Sequence, residues 1–193
     1  MLQLSLFSEA AANPWSYISD FLPRDKADKL YEYCKTLKWE QNRSSRFAVP
    51  NPRLECMYGG KGYEYSGITL QSNRWTAELY NLASEIVERT GYSFHCCIGN
   101  LYRDGNDSIG WHADKDLSMG ENPAIASLSL GQMRLFQIKS NQKDAKIQQI
   151  WLEHGSLLIM HPGMQSTHVH RVPKVTRGWC GERINLTFRP STK

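Results

Sequence analysis

Two stretches of the chain have the spacing of amphipathic helices, because apolar residues recur every three or four positions with charged residues between them. The first stretch covers residues 23–39 and the second covers residues 74–90. Asp25 and Asn73 are placed to act as N-caps, and Gly91 is placed to end the second helix. We therefore predict two helices in the N-terminal half of the chain.

After Gly91 the pattern changes to short runs of β-forming residues, separated by turn residues such as Gly131 and Gly155. Many short strands that follow two helices are typical of an α+β chain. The pattern predicts a β-sandwich or a jelly roll as the core, and we expect the jelly roll, or double-stranded β-helix, with two N-terminal helices packed against it. The predicted strands cover residues 93–101, 125–130, 134–139, 146–152, 156–160, 169–172 and 184–189.

The composition is that of a globular protein, with 193 residues of which 40% are hydrophobic. We find no apolar run that could span a membrane and no signal peptide, so we expect a cytoplasmic monomer. The five cysteines are odd in number and contain no CxxC pair, which favours reduced thiols. A net charge of +4 is compatible with a polyanionic partner but is too small to establish one.

Two segments fall outside the helix and strand patterns. Residues 1–12 form a tail before a predicted single domain of residues 13–193, and the tail segment Gln3–Phe7 (QLSLF) resembles the peptide by which bacterial proteins dock on the replicative sliding clamp. Clamp docking would indicate a bacterial or phage source; the alternative is a tail that packs back on the domain. Residues 40–67 interleave prolines, glycines, arginines and aromatics, which is typical of a functional loop with short strands.

The segment His112-Ala113-Asp114 is a candidate metal site. In an extended strand, residues i and i+2 point to the same face, so the imidazole and the carboxylate would lie side by side. One further imidazole would complete the two-histidine, one-carboxylate ligand set of non-haem Fe(II) oxygenases. The candidates for that third ligand are His154, His161, His168 and His170, and spacing alone does not exclude His168.

Two arginines near the C-terminus could anchor an organic carboxylate. Arg183 and Arg189 are six residues apart and would share one face of a strand with Asn185 and Thr187. The planar guanidinium forms paired, charge-assisted hydrogen bonds with a carboxylate. The alternative is a cationic strand end at the protein surface.

Five motifs in a fixed order give these residues a family context: NLYRDGNDSIGWHADKD from Asn100, then SLSLG, HGSLLIM, HRVPK and RINLTFR. This series, within about residues 40–190, resembles the AlkB family of Fe(II)/2-oxoglutarate dioxygenases, and in particular the branch that repairs alkylated nucleobases. The resemblance implies that His170 is the third metal ligand. His154 and His161 are then interpreted as ordinary surface or core histidines.

The resemblance also implies roles for other residues. Arg183, Asn185, Thr187 and Arg189 would line the 2-oxoglutarate pocket, with Asn100 and Tyr102 opposite them. Tyr63 and Tyr65 match base-pocket positions, with Tyr65 stacking on a flipped base and His112 bordering its other side. Asp116 would meet the exocyclic amine of the base. The alternative for both tyrosines is ordinary strand packing.

The function implied is oxidative demethylation of bases such as 1-methyladenine and 3-methylcytosine in DNA, with Fe(II), 2-oxoglutarate and O2 consumed and formaldehyde, succinate and CO2 released. One alternative is an oxygenase acting on RNA, protein or lipid; another is a metal-dependent jelly-roll protein without oxygenase activity, against which Arg183 and Arg189 argue. Basic residues that are candidates for phosphate contacts are Arg46, Arg53, Lys61, Arg103, Arg134, Lys139, Arg171 and Lys174.

Overall fold

The computed structural model of the protein describes residues 13–43, 49–59, 63–65, 68–115 and 119–190. The predicted helices are present as α1 (Arg24–Lys35) and α2 (Ala77–Thr90), and a one-turn helix α3 (Met164–Thr167) is added to them. Among the described residues, the strand β1 (Trp15–Ile18) precedes α1 and four further strands lie between α1 and α2, so α1 is the only early helix and the prediction of a pair of N-terminal helices is correct only in part.

The helix ends correct two of the predicted caps. Pro23 is the N-cap of α1, and Asp25 lies in the first turn, where its carboxylate faces the positive end of the helix dipole. Thr76, rather than Asn73, caps α2, because its hydroxyl accepts a hydrogen bond from the Leu79 N–H. Gly91 ends α2 in the left-handed conformation as predicted, with φ 73°.

Thirteen strands make up the rest of the described fold. All seven strands predicted after Gly91 are present, with shifts of at most three residues. β1 was not indicated by the sequence pattern, because all four of its residues are half-buried and show no alternation. The strands are β1 (Trp15–Ile18), β2 (Leu54–Tyr58), β3 (Tyr63–Tyr65), β4 (Ile68–Leu70), β5 (Ser72–Asn73), β6 (Cys96–Tyr102), β7 (Ile109–His112), β8 (Ile125–Gly131), β9 (Arg134–Ser140), β10 (Gln148–Leu152), β11 (Leu157–Met160), β12 (His168–Val172) and β13 (Arg183–Arg189).

The strands form a large sheet, a small sheet and a separate hairpin. The large sheet has the order β1-β11-β8-β13-β6-β2-β5 and is antiparallel except for the β2–β5 pair. The small sheet has the order β10-β9-β12-β7 and is antiparallel throughout, and β3 pairs with β4. This arrangement is consistent with the predicted jelly roll.

The strand β13 divides two hydrophobic clusters. Ile184, Leu186 and Phe188 pack with the apolar faces of α1 and α2 on the outer side of the large sheet. A second cluster fills the space between the two sheets, where Ile98 of β6 meets Ile138 of β9. Because strand residues alternate between faces, the polar residues of β13 point into this second space.

Two further expectations from the sequence concern membrane-spanning helices and disulfide bonds. Among the described helices, none is long and apolar enough to cross a membrane. Within the described residues no disulfide joins the cysteines, in agreement with the interpretation of reduced thiols.

Candidate metal centre and cosubstrate pocket

A β-bulge between β7 and β12 aims two side chains into the space between the sheets. His112 pairs with His170, whereas Ile109 pairs with Val172, so two residues of β7 lie opposite one residue of β12. As a result both Ile109 and His112 line the cavity, although simple alternation would place them on opposite faces. The His112 and His170 rings lie 4.3 Å apart between centroids.

Asp114 completes this cluster by a different route from the one predicted. β7 ends at His112, so Asp114 is not on the strand and the i, i+2 argument does not apply to it. The segment after the strand turns the carboxylate inward, and Gln165 of α3 holds it there by accepting a hydrogen bond from the Asp114 N–H at 2.9 Å. One ligand atom each of His112, Asp114 and His170 lies within 4.8 Å of the other two.

Burial and nearby charge give these three side chains the protonation states that bind a cation, which are neutral imidazoles and an ionised carboxylate. Burial lowers the pKa of His112 and lowers that of His170 to about 3, so both imidazoles are neutral at neutral pH. Burial alone would raise the pKa of Asp114, but the positive charge of Arg189, with Nη2 at 3.1 Å, opposes burial, and the pKa is lowered.

The orientation of His112 is also set for metal binding. His112 Nδ1 lies 2.9 Å from the Gly110 carbonyl, which accepts a hydrogen bond from Nδ1–H, so the Nε2 lone pair is left for a metal. Two neutral imidazoles and one carboxylate, converging in a buried space, therefore fit Fe(II).

Arg183 lines the same cavity, and two of its three guanidinium nitrogens have no hydrogen-bond partner among the described residues. Only 1% of the residue is exposed, and Nη2 donates to Ser129 Oγ at 2.9 Å. Nε and Nη1 have no hydrogen-bond partner among the described residues, although the Tyr102 ring lies 5.1 Å from the guanidinium carbon. Burial lowers the pKa of Arg183 to about 10, yet the group remains charged at neutral pH. A guanidinium left in this condition fits the carboxylate of a small ligand.

The neighbouring polar residues of β13 have their donors fixed by the protein. Asn185 Nδ2 donates to Ser127 Oγ at 2.8 Å and to the Leu128 carbonyl at 2.9 Å, and Thr187 Oγ1 donates to the Ile98 carbonyl at 2.9 Å. These bonds hold the walls of the cavity rigid. All nine predicted metal and cosubstrate residues line this one cavity of about 600 Å³, which includes its open mouth: Asn100, Tyr102, His112, Asp114, His170, Arg183, Asn185, Thr187 and Arg189.

Two arginines predicted to contact phosphates are buried instead. Arg134 is 1% exposed and donates from Nη1 and Nη2 to the carbonyls of Asp104, Asp107 and Pro173, so the prediction of a phosphate contact is wrong. Its guanidinium therefore joins the loops that contain these three carbonyls at the start of β9.

Arg53 is 5% exposed, so it presents no cation to a phosphate at the protein surface, and its role in substrate binding stays a prediction. It lines the cavity, where it bonds Glu55 at 2.5 Å and Asn100 Oδ1 at 2.8 Å. Glu55 was missed as a cavity residue, although its spacing of two from Arg53 indicates a shared strand face. The apolar wall of Ile98, Phe136 and Met160 carries no sequence signal that separates it from ordinary core.

The other histidines behave as ordinary structural residues. His154 Nδ1 accepts a hydrogen bond from the Gly131 N–H at 2.8 Å, and His161 Nδ1 lies 3.1 Å from the Tyr92 hydroxyl, which confirms the interpretation of both. His168, the alternative third ligand, is half-buried at the start of β12 and contacts Thr167 Oγ1 at 2.8 Å. Of the histidines, only His112 and His170 line the cavity in the described part of the chain.

Several predicted residues lie outside the described residues. These are Asp116, the Gln3–Phe7 peptide, Arg46 and Lys61. The backbones of Tyr63 and Tyr65 form β3, and their proposed contacts with a base stay predictions.

Comparisons with known proteins show which family this chain is similar to. The family model described as the 2OG-Fe(II) oxygenase superfamily matches residues 14–189. Alpha-ketoglutarate-dependent dioxygenase alkB homolog 3 of Rattus norvegicus is 38% identical over 181 residues, covering 88% of this chain and 61% of the relative. DNA oxidative demethylase ALKBH2 of Mus musculus is 33% identical over 147 residues, covering 72% of this chain and 61% of the relative. The chain thus spans about three fifths of the length of these relatives, and they leave the expected bacterial or phage source a prediction.

A solved structure supports the fold independently. "The structure of OsALKBH1" superposes with a TM-score of 0.67 at 20% identity, covering 91% of this chain and 97% of that one. At this identity the likeness establishes the fold alone.

Proposed function

Because the chain belongs to the 2OG-Fe(II) oxygenase superfamily, we propose that it is an Fe(II)- and 2-oxoglutarate-dependent dioxygenase that demethylates nucleic-acid bases such as 1-methyladenine and 3-methylcytosine in DNA. The names of its relatives, which include a DNA oxidative demethylase, support the substrate class. The observation that carries the proposal is the buried Arg183, which has two donor atoms without a partner in the described ranges and lines the same cavity as the His-Asp-His cluster.

In the proposed site, His112, Asp114 and His170 hold the metal. Arg183 binds the distal carboxylate of 2-oxoglutarate, and Asn100 and Tyr102 flank it on β6, which pairs with β13 in register. Arg189 neutralises and orients Asp114, so that one carboxylate oxygen stays turned toward the ligand cluster. When bound, Fe(II) with 2-oxoglutarate and O2 supplies the oxidation that yields succinate and CO2 and releases the methyl group as formaldehyde.

The protein also limits access of water to the reaction. Ile109, Phe136 and Val172 form an apolar wall beside the histidines, and the Phe136 ring lies 5.3 Å from that of His170 between centroids. An apolar wall strengthens the charge interactions inside the cavity.

A methylated base must leave the base stack of the nucleic acid to reach the cavity, and we propose that Tyr65 and Asp116 bind it, with Tyr63 beside them. N-methylation gives the base a positive charge, which the Asp116 carboxylate would favour.

The test is turnover of a single-stranded DNA oligonucleotide that carries one 3-methylcytosine, with Fe(II), 2-oxoglutarate and O2 present. We expect succinate and formaldehyde in equal amounts and a restored cytosine. Matched RNA and unmethylated DNA strands serve as substrate controls, and His112→Ala serves as the inactive variant. Succinate release that is not accompanied by base restoration on any strand would contradict the substrate assignment.

We also propose that residues 13–193 form one domain and that Gln3–Phe7 docks on a bacterial sliding clamp. Titration of purified clamp into the full chain tests the second point, with Phe7→Ala as the matched control. Equal binding by both chains would contradict it.

A further inference from the structure

The outer face of the small sheet carries an unusual group of side chains beside the metal cluster. The bulge in β7 turns Trp111 away from the cavity while the next residue, His112, enters it. Lys139 of β9 and Arg171 of β12 lie on the same outer face, because their neighbours Ile138 and His170 are buried. We call Trp111, Lys139 and Arg171 the Trp111 surface.

The two cations of this surface are held in place by the indole. Lys139 Nζ and Arg171 Cζ each lie 4.6 Å from the centroid of the Trp111 ring, well within cation–π range. Arg171 Nε also donates to Gln137 Oε1 at 2.7 Å. Side chains that are fixed before binding lose less conformational entropy when a ligand arrives.

Among the described residues, no acidic side chain pairs with either of these two cations. In the described ranges, no carboxylate lies within ion-pair distance of Lys139 or Arg171. Arg103 provides the contrast, since Asp107 accepts hydrogen bonds from its Nε and Nη2. The turn that follows β9 includes the acidic residue Asp144, but Lys143 and Lys146 on either side of it keep this turn cationic.

We propose that the Trp111 surface binds the phosphodiester backbone of the single strand that carries the target base. The inference rests on the proposed function and adds the path of the strand to it. β7 is an edge strand of the small sheet, and its residue His112 enters the cavity, so a strand whose base occupies the cavity can pass over this edge onto the outer face. Two fixed cations that have no carboxylate partner among the described residues are complementary to two phosphates on that path.

The experiment compares the wild type with the double variant Lys139→Gln, Arg171→Gln. The substrates are a single-stranded DNA of about 15 nucleotides and a trinucleotide, each with a central 3-methylcytosine. We expect the ratio of kcat/KM for the long substrate to that for the short one to fall roughly ten-fold in the variant. The slope of log KM against log salt for the long strand should decrease in magnitude by about 1.4, since each single-strand phosphate contact contributes about 0.7.

The matched control is Arg24→Gln, Lys29→Gln, which removes two positive charges from α1, on the outer side of the other sheet. If both double variants give the same substrate ratio and salt slope, the inference is overturned. It is also overturned if only binding to a duplex changes. Anisotropy titrations with an unmethylated strand keep the two proposals distinguishable, because they measure the surface even if no demethylation occurs in the wild type.

Discussion

At the scale of single residues, Arg183 and Arg134 form a natural comparison. Both are 1% exposed, but Arg134 donates to three backbone carbonyls and leaves only Nε without a partner among the described residues, whereas Arg183 leaves both Nε and Nη1 without one. An uncompensated buried charge costs several kcal/mol, roughly, so a protein that retains one gains by binding an anion there.

We therefore predict opposite stability effects for the same substitution at these two sites. Arg183→Met should leave the free energy of unfolding of the ligand-free protein unchanged or raise it by about 1 kcal/mol, while weakening 2-oxoglutarate binding roughly 100-fold. Arg134→Met should lower the free energy of unfolding by about 3 kcal/mol, because three carbonyls lose their donor. Urea unfolding and 2-oxoglutarate titration measure both quantities. A large loss of stability in Arg183→Met would contradict the assignment of this arginine to a ligand.

Asp107 carries a predicted pH dependence away from the metal cluster. Burial alone would raise its pKa, but the side chain and backbone N–H of Arg103 outweigh burial and lower it. A carboxyl whose pKa is lowered on folding stabilises the protein above its ordinary pKa of about 4, and this stabilisation is lost as the pH falls through the lower folded value.

Asp107→Asn should therefore cost about 2 kcal/mol of unfolding free energy at neutral pH, and the difference from wild type should shrink below about pH 4. Glu32→Gln is the control, because the Lys35–Glu32 pair is exposed and contributes at most about 0.5 kcal/mol. Urea unfolding at a series of pH values measures both. A difference at Asp107 that stays constant down to the most acidic pH would show that charge is not its cause.

At the scale of elements, the one-turn helix α3 supplies a side chain that positions Asp114 of the His112-Asp114-His170 group. Gln165 is 3% exposed, its Oε1 accepts from the Asp114 N–H, and its Nε2 lies 3.4 Å from Met160 Sδ. Since Asp114 lies beyond the end of β7, this contact takes over the positioning that a strand would otherwise supply.

Gln165→Leu should weaken Mn(II) binding about 10-fold or more, because the backbone of Asp114 loses its acceptor. Gln165→Glu keeps an acceptor oxygen at the same place and should bind Mn(II) within about 3-fold of the wild type. Calorimetric titration of the ligand-free protein gives both affinities without reliance on turnover. Equal affinities for the leucine and glutamate variants would rule out this positioning role.

At the scale of the whole molecule, one hydrophobic cluster lies on the outer side of the large sheet and the other lies between the sheets, where the cavity is. The helices cover the outer side of the large sheet, and the cavity opens between the two sheets. A substitution in the outer cluster should therefore affect folding without reshaping the cavity.

Leu79→Ala in α2, where Leu79 is fully buried, should cost about 3 kcal/mol of unfolding free energy. The dissociation constant for 2-oxoglutarate should stay within about 2-fold at temperatures where the variant is folded. Tyr80→Ala, at a neighbouring side chain that is 57% exposed, should change stability by less than about 0.5 kcal/mol. Thermal unfolding with and without 2-oxoglutarate distinguishes the cases, and a large loss of affinity in Leu79→Ala would show that the two clusters are coupled.

The sequence by itself determined the features that local periodicity encodes. It located α1, α2 and seven of the eight described strands after Gly91, and the alternation of β13 placed Arg183 and Arg189 on one face. Helix and strand periods report which side of an element is buried, so they are readable without any partner. The order of the five motifs supplied the family resemblance, which the comparisons confirm.

Only the tertiary structure decided which side chains converge. Spacing left His168 and His170 equally suitable, and the pairing of β12 with β7 places His170, which the resemblance had implied, opposite His112. It buried Arg53 and Arg134, which look like surface cations in the sequence, and it brought Asp114 inward from beyond the strand. Pairing register, bulges and turns depend on contacts between distant segments, and the spacing of residues within one segment does not contain that information.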